Sequence, residues 1–165
     1  TQGSSTHLAG ELMKAMAGIN MAGVPYKGAA PSVQALMGGE VQLTFSGGNA
    51  VAPHLKSGRL RALAVTGLRS STLAPGLPTV AESGVPGFEV VAIDVFFAPA
   101  RTPAAIINRL NQEIVRLLNL PSVKERFLNA GEEMVGSSPE QLAAAIKSDI
   151  ARWSRVIKDA GIKVD

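Results

Sequence analysis

Cysteine is missing from the whole 165-residue chain. That removes disulfides, thiolate nucleophiles and Cys-ligated zinc from consideration, and it permits an oxidising compartment without demonstrating one. Aromatic side chains are scarce: five Phe, with Tyr26 and Trp153 as the remaining two. No uncharged apolar run approaches the roughly 18 residues that a membrane-spanning helix requires. No sign of charge dominates either. Six basic face five acidic residues up to residue 95, ten face eight beyond it, and the net charge is +3. A chain without a basic tract does not favour nucleic-acid binding. There is no P-loop, no Gly-x-Gly-x-x-Gly and no Gly-x-Ser-x-Gly elbow. His7 and His54 belong to no metal-ligand cluster, and carboxylate-only metal spacing is absent, so no metal and no cofactor is implied. Finally, the chain has no initiator Met and no targeting segment. It opens inside a loop, Thr1-Gln2-Gly3-Ser4-Ser5-Thr6, and reads as a piece cut from something longer.

What is present is 46% hydrophobic and 18% charged, too apolar for disorder and long enough to bury a core as one domain or two small lobes. Helix and strand signals alternate. A first helix is expected from Thr6 or His7, with Leu8, Leu12, Met13 and Met16 on one face, stopping at Gly18. Pro31 suits a first helical position, and Val33, Leu36 and Met37 follow before Gly38-Gly39. Residues 41–45 alternate as a strand, and Asn49 is placed to cap a helix reaching Ser57-Gly58. Residues 60–66 and 88–98 are further strand candidates. Between them Thr79-Val80-Ala81-Glu82 has capping-box spacing for a single helical turn. After Pro99 the character changes to helices, opened by Thr102-Pro103, by Ser122-x-x-Glu125 and by Ser138-Pro139-Glu140-Gln141. A boundary falls near residues 92–100.

Three loops run into helices within the first fifty residues. Gly3-Ser4-Ser5-Thr6-His7 sets hydroxyls before a helix whose N-terminus offers unpaired N–H groups and partial positive charge, a suitable place for a carboxylate or phosphate. An ordinary Ser/Thr cap would look the same. Tyr26-Lys27-Gly28-Ala29-Ala30 repeats the arrangement with a cation beside it, where a solvated Lys on a surface turn is the plainer reading. Ser46-Gly47-Gly48-Asn49 repeats it again. Together they describe one edge of an α/β layer, where small ligands bind. Asp94, inside an apolar stretch where burial would be costly unless paired, either faces a cleft or crossover or lies on an edge strand. Ser4 or Ser5 with His7 or His54 makes a poor hydrolase, because a Ser two or three residues from a His on one turn rarely gives triad geometry. No catalytic residue is assigned.

The ordered motifs Gly3 to Glu11, Val24 to Pro31, Leu60 to Thr66, Leu77 to Phe88, Ala98 to Pro103 and Trp153 to Lys163 resemble the C-terminal part of a Bug (Bordetella uptake gene)/TctC-type protein, an extracytoplasmic solute-binding receptor of tripartite tricarboxylate transporters. The resemblance covers the whole chain. It implies an α/β periplasmic-binding-protein-like lobe, a mixed sheet with flanking helices, at residues 1–95. Residues 96–165 would be a crossover and helical C-terminal segment returning to, and packing largely on, a first lobe that precedes this sequence. It also implies a Venus-flytrap receptor in the periplasm that closes on a small mono-, di- or tricarboxylate and delivers it to a membrane permease, with no enzymatic step. Ser4, Ser5, Thr6, His7, Tyr26, Lys27, Gly28, Ala29 and Ala30 would form this lobe's share of the site. Ser46, where many relatives have an acid, and Asp94, beside a usual Trp-x-Gly that is Asp94-Val95-Phe96 here, are further candidates. Self-association of the chain is a corollary, since helix faces meant for the other lobe would be exposed. Two other readings stay open: a ligand-sensing interaction module, and a hydrolase or isomerase on an α/β scaffold.

Overall fold

The computed structural model describes residues 3–159 and Gly161. The closing Ile162 and Lys163 of the last motif, and the opening Thr1 and Gln2, lie outside the described residues. Helix α1 (Ser5–Ala17) starts one residue earlier than the sequence suggests, because Ser4 is extended and its Oγ accepts the His7 N–H at 3.3 Å. It stops where Gly18 turns left-handed, φ 64°, a conformation that costs glycine nothing sterically. Helix α2 (Ala29–Met37) begins two residues before Pro31. Pro is tolerated there, since the first-turn N–H groups have no intrahelical partner to lose. Helix α3 (Gly48–Lys56) has Gly47 rather than Asn49 as its cap. The Asn49 amide is committed elsewhere, donating to Glu132 Oε1 at 2.8 Å.

The expected strands are extended segments with little pairing. Among the described residues there is one isolated parallel bridge, Val65 with Thr79. Val65 donates to Pro78 O and Val80 to Val65 O, both at 2.9 Å, while Val90 donates to Thr66 O on the other side, also at 2.9 Å. Parallel pairing propagates in steps of two residues, so the next bonds would need N–H donors from residues 78 and 82. Pro78 has none. The Glu82 N–H is taken by Thr79 Oγ1 at 3.0 Å, while Glu82 Oε2 accepts the Thr79 N–H at 2.9 Å. This reciprocal cap closes the single turn that the sequence suggests, with Ser83 N–H on Thr79 O at 3.1 Å. The same cap that builds the turn ends the ladder.

Ala9, Leu12, Val80, Phe88 and Val90 form the core, with Met13, Phe45, Ala64, Val85, Trp153 and Val156 packed around it. Phe88 is fully buried and its ring lies 6.4 Å from that of Phe45 at 24°. Burying a Phe side chain contributes about 2–3 kcal/mol. The second half is helical: α4 (Ala104–Leu118), α5 (Pro121–Asn129) and α6 (Pro139–Asp159). Ser122 does not cap α5. Pro121 takes the first helical position and pulls the start forward, leaving Leu120 as the cap residue. Ser138 caps α6 reciprocally with Gln141, at 2.9 and 3.2 Å. Arg152 of α6 pairs with Glu89 at 2.5 Å and with Asp149 at 3.0 Å, and its guanidinium lies 5.2 Å from the Trp153 ring.

Candidate functional site

The first turn of α1 gathers Ser4, Thr6 and His7. Ser4 Oγ and Thr6 Oγ1 share a hydrogen bond of 3.0 Å. Gly3 N–H donates to His7 Nδ1 at 3.1 Å, so that nitrogen acts as the acceptor there. The opposite nitrogen, Nε2, lies 3.8 Å from Glu11 Oε1, which Lys14 also holds at 2.6 Å. The imidazole is thus held along α1 through its Nδ1. Ser5 and Thr6 open the helix, Thr6 is exposed and Ser5 half-buried. Their main-chain N–H groups belong to the set with no intrahelical acceptor.

Helix α2 presents a different N-terminus. Its cap residue Gly28 has φ 110° and no side chain caps the first turn, so nothing of the cap itself stands between those N–H groups and solvent. Lys27, Gly28, Ala29 and Ala30 are exposed, and Tyr26 is half-buried. The small residues leave the backbone approachable and Lys27 supplies a positive charge one residue before the cap, the combination that suits an anion. From this end a groove of about 500 Å³ runs between α2 and α3, lined by Ala29, Ala30, Val33, Met37, Asn49 and His54 among others. Its floor is apolar, with Gln34, Asn49 and His54 as polar members.

Sequence reasoning missed this groove, although Ala29, Val33 and Met37 recur at the spacing of one helix face. His54 also lines it. The third loop supplies Ser46, whose Oγ is buried without a hydrogen-bond partner among the described residues. Nearby, Ser32 Oγ and Thr44 Oγ1 share a hydrogen bond of 2.9 Å that ties α2 to the segment before α3. Asp94 is exposed and lies outside any paired strand, flanked by the half-exposed Ile93 and followed by Phe96 and Phe97, each about three-quarters exposed (76% and 78%). In water a carboxylate needs no partner. A second depression, about 400 Å³, lies along α6, but its Arg152 is already paired with Glu89 and Asp149. Among the described residues no group of three or more His, Asp or Glu is arranged to hold a metal ion. No described helix is long and apolar enough to cross a membrane.

Residues 1–162 match the sequence profile described as tripartite tricarboxylate transporter family receptor. The chain belongs to that receptor family. Among curated relatives it is 37% identical to protein BugT of Bordetella pertussis over 162 residues, covering 98% of this chain and 50% of BugT. Among solved structures it superposes on Rpa4515 of R. palustris with adipate at a TM-score of 0.87 and 39% identity, covering 97% of this chain and 54% of that one. The periplasmic binding protein BugD matches at a TM-score of 0.82 and 33% identity, covering 98% of this chain and 55% of BugD. The fold is therefore that of a periplasmic-binding-protein lobe. The receptor chain spans about half the length of the curated relatives first matched, 46% and 50%.

Proposed function

We propose that this receptor chain captures a small carboxylate-bearing solute in the periplasm for delivery to the permease of a tripartite tricarboxylate transporter, with no chemical step. The observation that carries the reading is the open N-terminus of α2. Its first turn lacks a side-chain cap, its residues are small and exposed, and Lys27 precedes it. Unpaired N–H groups at such an end attract a carboxylate through the helix dipole and direct hydrogen bonds. The first turn of α1, with Ser5 and Thr6, supplies further donors of the same kind. The adipate bound to Rpa4515 supports the ligand class, since that chain is a close structural relative.

On this reading, residues 1–95 are one ligand-binding lobe, in which the extended segments around Val65, Thr79 and Val90 are the remnant of the mixed sheet. Residues 96–165 are the crossover and helical segment that packs largely on a facing lobe, and closure between lobes traps the solute. A receptor needs affinity without turnover. The commitment of His7 Nδ1 to the Gly3 N–H supports this, because that nitrogen is then not available as a base for a nucleophilic serine.

Thermal-shift measurements on the full-length gene product test the proposal with mono-, di- and tricarboxylates and their neutral amides. Carboxylates are expected to raise the melting temperature while the amides leave it unchanged, since a ligand that binds only the folded state stabilises it by mass action. Equal shifts from acids and amides would remove the carboxylate reading.

A further inference from the structure

Three helix N-termini in this half of the molecule differ in what covers them. Ser4 Oγ caps α1, and α2 has no side-chain cap. The third, α3, is closed by a distant part of the chain. The turn after α5 brings Gly131 so close that a Cβ on Gly48 would lie 2.9 Å from Gly131 O, and a Cβ on Gly131 would lie 2.6 Å from Asn49 N. Only a pair of glycines permits that approach. Beside it, Glu132 Oε1 accepts from Asn49 Nδ2 at 2.8 Å. Glu133 fixes the same turn from its other side, accepting Ser71 Oγ at 3.0 Å, the Thr72 N–H at 2.9 Å and Thr72 Oγ1 at 2.5 Å. The turn is held at two points and delivers a carboxylate to the helix end.

Asn49 is also a wall residue of the groove that opens at Ala29 and Ala30. A solute whose carboxylate sits at the α2 N-terminus and whose carbon chain enters this groove would approach α3 next. There it would meet Asn49, whose side-chain amide already holds the Glu132 carboxylate. We infer that Glu132 is a specificity-determining residue: its carboxylate, bonded to the Asn49 side chain that lines the α2–α3 groove, disfavours a second ligand carboxylate there. The inference rests on the carboxylate site proposed at α2, and it adds to that site a preference over what the far end of the solute carries.

Glu132→Gln separates charge from structure, because the amide oxygen still accepts from Asn49 Nδ2 while the charge is gone. The measurement is calorimetric titration of the full-length gene product with adipate and with hexanoate, which share a carbon chain but differ by one carboxylate. In E132Q the preference for adipate over hexanoate is expected to rise about two- to fivefold, the scale of a partly exposed charge interaction. Hexanoate affinity stays at the wild-type value, and added salt shrinks the gain. Glu132→Ala, which also loses the hydrogen bond, is expected to shift the preference in the same direction. A wild-type protein that binds adipate, with an unchanged adipate-to-hexanoate ratio in both variants, would overturn the role of Glu132 and leave the α2 site standing. An equal loss of both ligands in E132A with E132Q unchanged would make Glu132 a purely structural tie and also overturn it. If the wild type binds neither acid at millimolar concentration, the α2 site itself fails and this inference falls with it.

Discussion

The second half of this chain carries the stronger helical signals in sequence, yet the first half holds the buried core. Every residue of the buried core lies between Ala9 and Val90, while α4, α5 and α6 contain no buried residue among those described. The second half nevertheless carries the more regular apolar stripes. Ile106, Leu110 and Leu117 of α4 recur at helical spacing and are each about half exposed. Amphipathic periodicity thus specifies that a segment is a helix with an apolar face. It does not specify that the face is covered. What joins the halves is a small set of ties: Trp153 and Val156 on the core, Arg152 on Glu89, Asn49 on Glu132, and Glu133 on residues 71–72.

Substitutions can break this contrast in a graded way. Phe88→Ala empties the centre of the first half and should cost about 3–5 kcal/mol in chemical denaturation, since the fully buried ring leaves a cavity. A loss below about 1 kcal/mol would mean the core lies elsewhere. Gly131→Ala strikes the junction. A Cβ there meets Asn49 N at 2.6 Å with φ at +85°, so a loss of about 1–3 kcal/mol is expected, together with faster proteolysis of the turn between α5 and α6. Ser4→Ala removes the α1 cap and should cost about 1 kcal/mol, with little effect on α4 to α6 in hydrogen exchange.

The smallest effect is expected from Glu133→Gln, and it is a matter of pH. Hydrogen bonds from Thr72 first, and from Ser71, hold the Glu133 carboxyl below the ordinary glutamate range. A lowered folded-state value means that its contribution to stability is full above the unfolded value of about 4.3 and is lost as pH falls through the folded one. E133Q should therefore make the melting temperature less steeply dependent on pH below that point. Part of the acid sensitivity will persist, because hydrogen bonds from Thr79 and from Ser138 also lower Glu82 and Glu140. An unaltered acid limb in E133Q would show that the tie contributes nothing to folding.

The helix ends were largely legible from local chemistry. Gly18 and Gly38 stop their helices, Thr79 and Glu82 cap each other, and Ser138 opens α6, because each signal acts within one turn. Errors arose where a distant residue competes. Asn49 reads as a cap, but Glu132, far along the chain, takes its amide. The strand expected at 60–66 keeps only the isolated bridge at Val65, because its pairing depends on Pro78 and the Thr79–Glu82 turn, which periodicity does not encode. Of the candidate site, the loops at Ser4–His7 and Tyr26–Ala30 were visible as small residues before helices. The groove beside them was not, since it needs the placement of α3 against α2. Asp94 is exposed, which the apolar context of its stretch does not indicate.

The central claim, that the N-terminus of α2 with that of α1 holds a carboxylate, is tested most directly by titrating the ¹⁵N-labelled full-length gene product with adipate while following backbone amide signals. The account predicts saturable shifts concentrated at Ser5, Thr6, Ala29 and Ala30, and none of comparable size with the neutral diamide. Shifts confined to α4, α5 and α6, or a response to the diamide equal to that of the acid, would contradict it.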